Sequence, residues 1–547
     1  MVPPRPAFAR QRAGLVLALI VLVALWIRLP GLDRPFDREF GGHQNAFFAI
    51  AAVNYAREGP WRHAGYPSVR IEGPAIVTDD VVPARDDDAA SVYVNHPPTV
   101  PLLAYASART LGPDGWGERW RDGLAPAGLE APLRAPFLVL HVLGLLALWW
   151  AVHPAIGARA ALLAVAFAGL APVGVTYGPL VNYENAALPF VLVSFGAWIR
   201  HARDGSRRML GLAALALALA SSITWAPLAF AAAMLADALC RDRRLALRAA
   251  LVLCPAAALP LAGHVLLSRT SGALRKNVLE RVPEVLAPIR ESPAVALDWT
   301  RSLATQATES IGLVALLLAL AAALIAVRRG PTEGAGEPGR GRRFELAPLV
   351  LGAALYLLAF HRHTLEPQRM FLLALVPGIA ALAAQAVDLV RGHGPRPRNA
   401  LAAALILTVA AESSSQWRAI RHALHAPGVC DGPDGDPALG VPLPATAGAI
   451  LARATPRGAL VLVPRATGLH LAAGYYAWRN VVLVDSPRVL DSIRAAHPSS
   501  RVMPVYALLP EPLMSAAPAF ASRFEGELPV GAARGAYVSG WRAWGLP

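Results

Sequence analysis

Apolar runs of about 13 to 25 residues recur along most of the first 412 positions, and a helix crosses the hydrocarbon of a membrane with about 20 apolar residues. Of the 547 residues 55% are hydrophobic and only 16% are charged, against about 25% charged residues in an average soluble protein. A soluble enzyme and a disordered chain are therefore both excluded, because neither has this excess of apolar side chains. The fold class predicted is a polytopic α-helical membrane protein with about eleven transmembrane helices. We place the spans at about 14–28, 133–152, 157–176, 184–200, 209–221, 225–239, 245–267, 303–327, 345–360, 370–391 and 398–412.

Short arginine-rich loops set the orientation of these spans, because such loops collect on the cytoplasmic side. With eleven spans the loops 200–208, 241–248, 328–343 and 391–398 all fall on the same side as the basic N-terminus. We therefore expect a cytoplasmic N-terminus and an extracytoplasmic C-terminus. Much of the net charge of +14 lies in these loops, so it orients the chain and does not indicate a nucleic-acid partner.

The count depends on a break within 209–239. Pro227 follows Ser221–Ser222, and proline disfavours an uninterrupted helix. A single helix here would put two arginine-rich loops on opposite sides of the membrane, so we predict two helices.

Two large segments then face outward: the first loop, 29–132, and the C-terminal region. We divide the chain into a transmembrane module, 1–412, and a linker with a small extracytoplasmic α/β domain, 413–547. Its expected strands and helices alternate as in a parallel sheet. The strands are Leu460–Val463, Val481–Val484 and Val502–Leu509, and the helices are 444–455, 468–478 and 487–497.

The first outward loop contains the most informative motifs. It begins with Phe36-Asp37-Arg38-Glu39 and continues into a short apolar helix from Ala46 to Arg57, expected to lie at the membrane interface. A Tyr-Val-Asn-His-Pro-Pro stretch, 93–98, precedes a second short helix at about 99–111. The order is thus a first span, an acidic residue outside it, and two juxtamembrane helices separated by the His-Pro-Pro motif.

This order resembles the C-type glycosyltransferase superfamily, in particular bacterial relatives of protein O-mannosyltransferases and of lipid A aminoarabinose and galacturonic-acid transferases. The resemblance covers the order of elements along most of the chain, but its motifs are short. It implies an integral membrane glycosyltransferase, in the bacterial inner membrane, that transfers a sugar from a polyprenyl-phosphate donor to an extracytoplasmic lipid, glycan or protein.

Such a reaction needs a carboxylate near the acceptor hydroxyl as a base, and positive charge at the departing phosphate. The resemblance places the catalytic acidic residue at Asp37, with Glu39 as the second candidate. Relatives often carry Asp-Glu in adjacent positions, so the intervening Arg38 leaves the choice between the two open. His96 occupies the position where relatives carry Lys or His before two prolines; a turn with an exposed histidine explains it equally well.

Further candidates lie at the outward ends of spans. Arg362 and Arg369 join the ninth and tenth spans and could clamp a phosphate by their fork geometry. His363 belongs to the same stretch, and His43 and Glu184 complete the candidates that line the cavity. A glutamate at a membrane boundary is costly unless it pairs or faces a cavity, although Glu184 could also be part of an interfacial polar cluster.

No cofactor is expected. The acidic runs Asp79–Asp80 and Asp86–Asp88 could hold a divalent cation, but a solvated loop is the more frequent explanation, so we predict no metal site. The expected partners are a polyprenyl-phosphate-linked sugar, an acceptor and membrane lipids. The alternatives are a non-enzymatic protein, such as a lipid-linked-sugar transporter or an envelope assembly factor, and a degenerate relative that binds polyprenyl phosphate without turnover.

Overall fold

A computed structural model describes most of the chain, and it contains two compact units. Unit 1 comprises 1–31, 137–264 and 278–420, and unit 2 comprises 32–136, 265–277 and 421–547. We describe each unit by itself. The described residues are 7–33, 35–36, 42–68, 71, 92–118, 128–270, 293–328, 345–359, 369–389, 395–425, 429–430, 441–442, 444–456, 459–464, 470–484, 505–510 and 541–546.

Helices dominate the described residues. They are α1 (Ala7–Arg28), α2 (Gly42–Glu58), α3 (Thr99–Leu111), α4 (Glu130–Leu170), α5 (Pro172–Tyr177), α6 (Tyr183–Asp204), α7 (Arg207–Ser221), α8 (Ala226–Arg241), α9 (Arg243–Thr270), α10 (Pro293–Ile311), α11 (Leu313–Arg328), α12 (Ala347–Ala359), α13 (Val376–Leu389), α14 (Pro395–His425), α15 (Pro444–Ala454) and α16 (His470–Ala477), with short 3-10 turns at Leu29–Gly31 and Arg369–Ala374.

Short polar residues begin and end the helices of unit 1 where the chain reverses. The Asn182 side chain accepts a hydrogen bond from the backbone N–H of Asn185 at the start of α6. Gly205 ends that helix in the left-handed conformation, and the Ser206 hydroxyl then caps α7. Because only two residues separate them, α6 and α7 pack side by side as a helical hairpin.

The predicted break within 209–239 is present, since α7 ends at Ser221 and α8 begins at Ala226. Gly157 interrupts α4 with a positive φ of 82°, at the boundary between the spans predicted at 133–152 and 157–176, which are joined there across a kink. The structure also contains a break that was not predicted from the sequence. Gly312, with φ of 103°, separates α10 from α11 by a bend of 110°, within the span predicted at 303–327.

Three described helices are long and apolar enough to cross a membrane by length and composition: Gln11–Gly31, Glu130–Leu170 and Arg243–Ser268. The bent pair Thr300–Ile311 and Leu313–Leu324 would make a fourth span if it crosses as one. The apolar segments Ala347–Ala359, Val376–Asp388 and Asn399–Ser414 are shorter. The chain thus has several apolar helices of a membrane protein, while the number eleven stays a prediction.

The two short helices of the loop predicted at 29–132 are α2 and α3, which both lie in unit 2 and pack against each other. The central residues of α2, Ala49 to Val53, are all fully buried. A helix that is apolar on every side is one enclosed by protein. The expectation that this helix lies at the interface therefore understates how far protein surrounds it.

Unit 2 also contains a four-stranded sheet near the C-terminus. Its strands are β3 (Leu460–Pro464), β4 (Asn480–Val484), β5 (Val505–Pro510) and β6 (Trp541–Leu546), and their order is β4-β3-β5-β6. A separate two-stranded ribbon pairs β1 (Val429–Cys430) with β2 (Val441–Pro442).

The central strand β3 runs parallel to both of its neighbours, with Leu460 opposite Asn480 on one side and Val505 on the other. The last strand, β6, is antiparallel to β5. Helices α15 and α16 pack together, and their apolar faces close a core with Val461, Val463 and Tyr506. The alternation of strands and helices after position 444 therefore produces one sheet with helical cover.

Candidate functional site

Asp37 and Glu39, the candidate catalytic carboxylates, lie outside the described residues, but the residue before Asp37 is described. Phe36, in unit 2, is fully buried, and its backbone N–H donates a hydrogen bond of 2.7 Å to the hydroxyl of Tyr476. Its ring meets the Tyr475 ring edge-on at 5.2 Å, and the guanidinium of Arg134 lies 5.1 Å from its centroid. The chain is therefore held on several sides immediately before the candidate carboxylate.

The Tyr476 hydroxyl both accepts and donates a hydrogen bond. It accepts one from the backbone N–H of Phe36 and donates one of 2.9 Å to Oε1 of Glu130, the first residue of α4. Burial raises the pKa of Tyr476 well above its usual value, and the negative charge of Glu130 raises it further. The phenol thus keeps its proton and serves as a neutral donor.

His96 lies in the segment that leads into α3, which is also part of unit 2. Its ring stacks on that of Tyr93 at a centroid distance of 6.3 Å, and the Tyr93 ring meets Phe47 of α2 edge-on at 4.7 Å. Pro97 is buried behind His96. His96 is half-buried, and aromatic packing orients its ring. The side chain of an exposed histidine in a turn would have no such packing.

Glu184, in unit 1, is buried at the first turn of α6, with 6% of its surface exposed. The hydroxyl of Tyr356 on α12 donates a hydrogen bond of 2.8 Å to its Oε1. Both side chains are removed from water, Tyr356 with 1% exposed. The polar-cluster explanation at a solvated interface does not fit this burial, because the carboxyl has a defined donor inside the protein.

Other buried polar residues in unit 1 join α1 to α5 and α4 to α6. Arg28 is 1% exposed, and its Nε donates to the carbonyl oxygen of Gly174 over 2.9 Å. Nδ1 of His141 lies 3.0 Å from Oδ1 of Asn185, whose amide nitrogen donates to the carbonyl oxygens of Phe137 and Gly178. These hydrogen bonds satisfy polar groups that have no access to water, whose burial between apolar helices would otherwise cost free energy.

A small cavity adjoins these residues. His141 and Gly174 are part of its wall, and the remainder is largely aliphatic, with Leu188, Leu192 and Leu373 among the lining residues. His141 thus faces a small space whose walls are mainly apolar.

The contacts of the other site residues predicted from the sequence are not described. Arg362 and His363 lie outside the described residues; Arg369 begins a 3-10 turn and His43 lies in the first turn of α2, but their side chains are not described. Among the described residues, no group of three or more His, Cys, Asp or Glu side chains could hold a metal ion. The acidic runs at 79–88 fall outside that set.

The candidates predicted from the sequence do not include Arg28, His141, Tyr356 or Tyr476. A signal existed for two of them. His141 is an ionisable residue inside the predicted span 133–152, and Arg28 ends the first span; such residues are rare in membranes unless they have a partner or a function. Tyr356 and Tyr476 carry no such signal, because tyrosine is common both in helices near an interface and in cores.

A comparison of the sequence with known families matches residues 127–266, which include α4 to α8 and most of α9, to the family described as "Dolichyl-phosphate-mannose-protein mannosyltransferase". No curated protein matches the chain by sequence.

Solved structures extend the likeness to nearly the whole chain. The structure of ArnT from Cupriavidus metallidurans in the apo state matches with a TM-score of 0.55 and 15% identity, over 96% of this chain and 97% of that one. The same protein bound to undecaprenyl phosphate matches with a TM-score of 0.53 and 14% identity, over 96% and 97%. The oligosaccharyltransferase of Archaeoglobus fulgidus, tethered with an acceptor peptide, matches with a TM-score of 0.53 and 13% identity, over 95% and 72%.

At these identities the structures establish the fold, and the family match adds a likeness in sequence over residues 127–266. The resemblance to the C-type glycosyltransferases that the sequence predicts is therefore confirmed: the chain has the fold of this superfamily of membrane proteins.

Proposed function

We propose that the protein is an integral membrane glycosyltransferase that moves a sugar from a polyprenyl-phosphate donor to an extracytoplasmic lipid, glycan or protein. The observation that carries the proposal is the match, over 96% of this chain, to a solved structure that holds undecaprenyl phosphate. The family match over 127–266 supports the same activity class.

In the proposed reaction the acceptor hydroxyl gives its proton to the Asp37 carboxylate, and its oxygen forms a bond to the anomeric carbon of the sugar. The bond between that carbon and the phosphate oxygen breaks, and polyprenyl phosphate leaves with the electron pair. Cations are needed where that negative charge develops, and His96, Arg362 and Arg369 are the proposed groups. Glu39 is the alternative base, and His43, Glu184 and His363 are proposed to line the cavity.

The proposed topology follows from the sequence. Residues 1–412 form the transmembrane module in the bacterial inner membrane, with the N-terminus in the cytoplasm, and 413–547 form the linker and the extracytoplasmic α/β domain. The parallel strands β3, β4 and β5 support an α/β arrangement in the last part of that region.

The test is transfer by the purified, reconstituted protein from a panel of polyprenyl-phosphate sugars. Loss of a general base costs about 100- to 10,000-fold, so Asp37→Asn is expected to lower kcat/KM by that factor with the protein still folded. Asp114→Asn is the matched control, because Asp114 is an exposed carboxylate of the same outward loop.

Full activity in both Asp37→Asn and Glu39→Gln would overturn the assigned base. A native protein that transfers no sugar but binds polyprenyl phosphate would be the degenerate relative, and one that moves the lipid-linked sugar without transfer would be the transporter.

A further inference from the structure

The hydroxyl of Tyr476 joins three parts of unit 2 that are far apart in the sequence. It accepts a hydrogen bond from the backbone N–H of Phe36, 440 residues earlier, and donates a hydrogen bond to the carboxylate of Glu130, 346 residues earlier. The negative charge of Glu130 is favourable at the N-terminus of α4, where the unpaired N–H groups carry partial positive charge. One phenol therefore connects the segment that follows α1 to the start of α4.

Close packing fixes the position of this phenol. Helix α16 approaches α15 so closely that a Cβ on Gly448 would lie 2.3 Å from Cβ of Tyr476. Helix α16 also packs on α2 and on β4. Because the backbone of Tyr476 has no room to shift toward α15, its hydroxyl is a rigid point of attachment.

Phe36 is held both by its backbone and by its ring. The hydrogen bond from its N–H to the Tyr476 hydroxyl sets the peptide plane. Its ring packs against Tyr475 and under the guanidinium of Arg134. Nη1 of Arg134 in turn donates a hydrogen bond of 2.9 Å to the carbonyl oxygen of Leu32. Asp37 is the next residue in the sequence and is bonded directly to Phe36. The contacts that hold Phe36 therefore fix the residue to which the proposed base is attached.

We infer that Tyr476 is a positioning residue for sugar transfer: its hydroxyl holds Phe36 and thereby sets where the segment that begins with Asp37 starts. The inference rests on the proposed function, in which Asp37 is the base. Displacing a catalytic group by about 1 Å can cost about 100-fold in rate, so a hydrogen bond one residue from the base acts on kcat.

The experiment compares the native protein with Tyr476→Phe and with the control Tyr506→Phe. The first variant keeps the ring against Phe36 and removes only the hydroxyl. Tyr506 is buried in the core beside the sheet of the same unit, so its variant removes a phenol hydroxyl away from Phe36.

Two readouts are measured. Hydrogen exchange followed by mass spectrometry on peptides that contain Phe36 reports the hydrogen bond, and initial rates report kcat and KM for the donor. Tyr476→Phe is expected to lose protection at the Phe36 amide and about 10- to 100-fold in kcat, with KM within about twofold. Tyr506→Phe is expected to change neither.

The outcomes are separable. A Tyr476→Phe protein with native kcat but an unprotected Phe36 amide would overturn the positioning role and leave the proposed function intact. An equal loss of kcat in Tyr506→Phe would show a general effect of structure and would also overturn it. A native protein without transfer activity would overturn the proposed function and the positioning role together, and the exchange data would then describe the hydrogen bond alone. If Tyr476→Phe folds poorly, Glu130→Ala is expected to give a smaller loss of kcat in the same direction.

Discussion

The hydrogen bond between Tyr356 and Glu184 gives a quantitative prediction about the helical unit. Both side chains are almost fully buried, so water cannot replace the bond when the phenol hydroxyl is removed. Tyr356→Phe removes one oxygen and leaves the ring, so no cavity of consequence is added. Removing one partner of a buried hydrogen bond costs about 1–3 kcal/mol, and we expect the variant to lower the free energy of unfolding by that amount.

A double-mutant cycle isolates this contribution from the other contacts of Tyr356. Glu184→Met has a similar volume and offers no acceptor to the phenol. In that background Tyr356→Phe is expected to cost less than about 0.5 kcal/mol, the usual limit of additivity. Unfolding would be followed by tryptophan fluorescence in mixed micelles with increasing denaturing detergent. An equal cost of Tyr356→Phe in both backgrounds would refute the argument.

Two other predictions concern close packing and pH. In Gly352→Ala the new Cβ would clash with Cδ1 of Phe230, so we expect a loss of about 1–3 kcal/mol in stability. Gly211→Ala is the control: it has open space around it and should be neutral or stabilising by up to about 1 kcal/mol. Similar unfolding curves for the two variants would contradict this prediction. Because the pKa of Tyr476 is raised in the folded state by burial and by Glu130, its contribution is fully present below the ordinary tyrosine pKa of about 10 and is lost as the pH rises beyond it. The stability difference between native protein and Tyr476→Phe should therefore shrink above about pH 10, and a difference that grows there would show the sign to be wrong.

The sequence predicts helices better than it predicts their interruptions. Pro227 marks a break correctly, since proline lacks a donor and its ring clashes with the preceding turn. Gly312 marks a break through a positive φ inside a predicted span, and glycine inside an apolar run does not by itself reveal that conformation. At Gly312 a Cβ would also meet the Glu412 carboxylate, a contact that depends on a helix about 100 residues later.

In the candidate site, too, some residues could be predicted from the sequence and their partners could not. Glu184 could be selected from the sequence because a carboxylate at a membrane boundary needs a reason, but its partner Tyr356 lies 172 residues away on another helix. Phe36 and Tyr476 are 440 residues apart and are joined through a backbone N–H, which every residue except proline possesses. Such pairs follow from tertiary packing and leave no trace in local spacing.

The long connection from Phe36 to Tyr476 also has a consequence in time. A ribosome that adds about 5–20 residues per second needs about 20–90 s to make the 440 residues between them. Throughout that interval Phe36 exists without the phenol that holds it, and loop closure over so long a chain is entropically costly until the helices between have formed. This support for Phe36 is thus one of the last to be completed in biosynthesis, and a chain that stops before α16 would lack it.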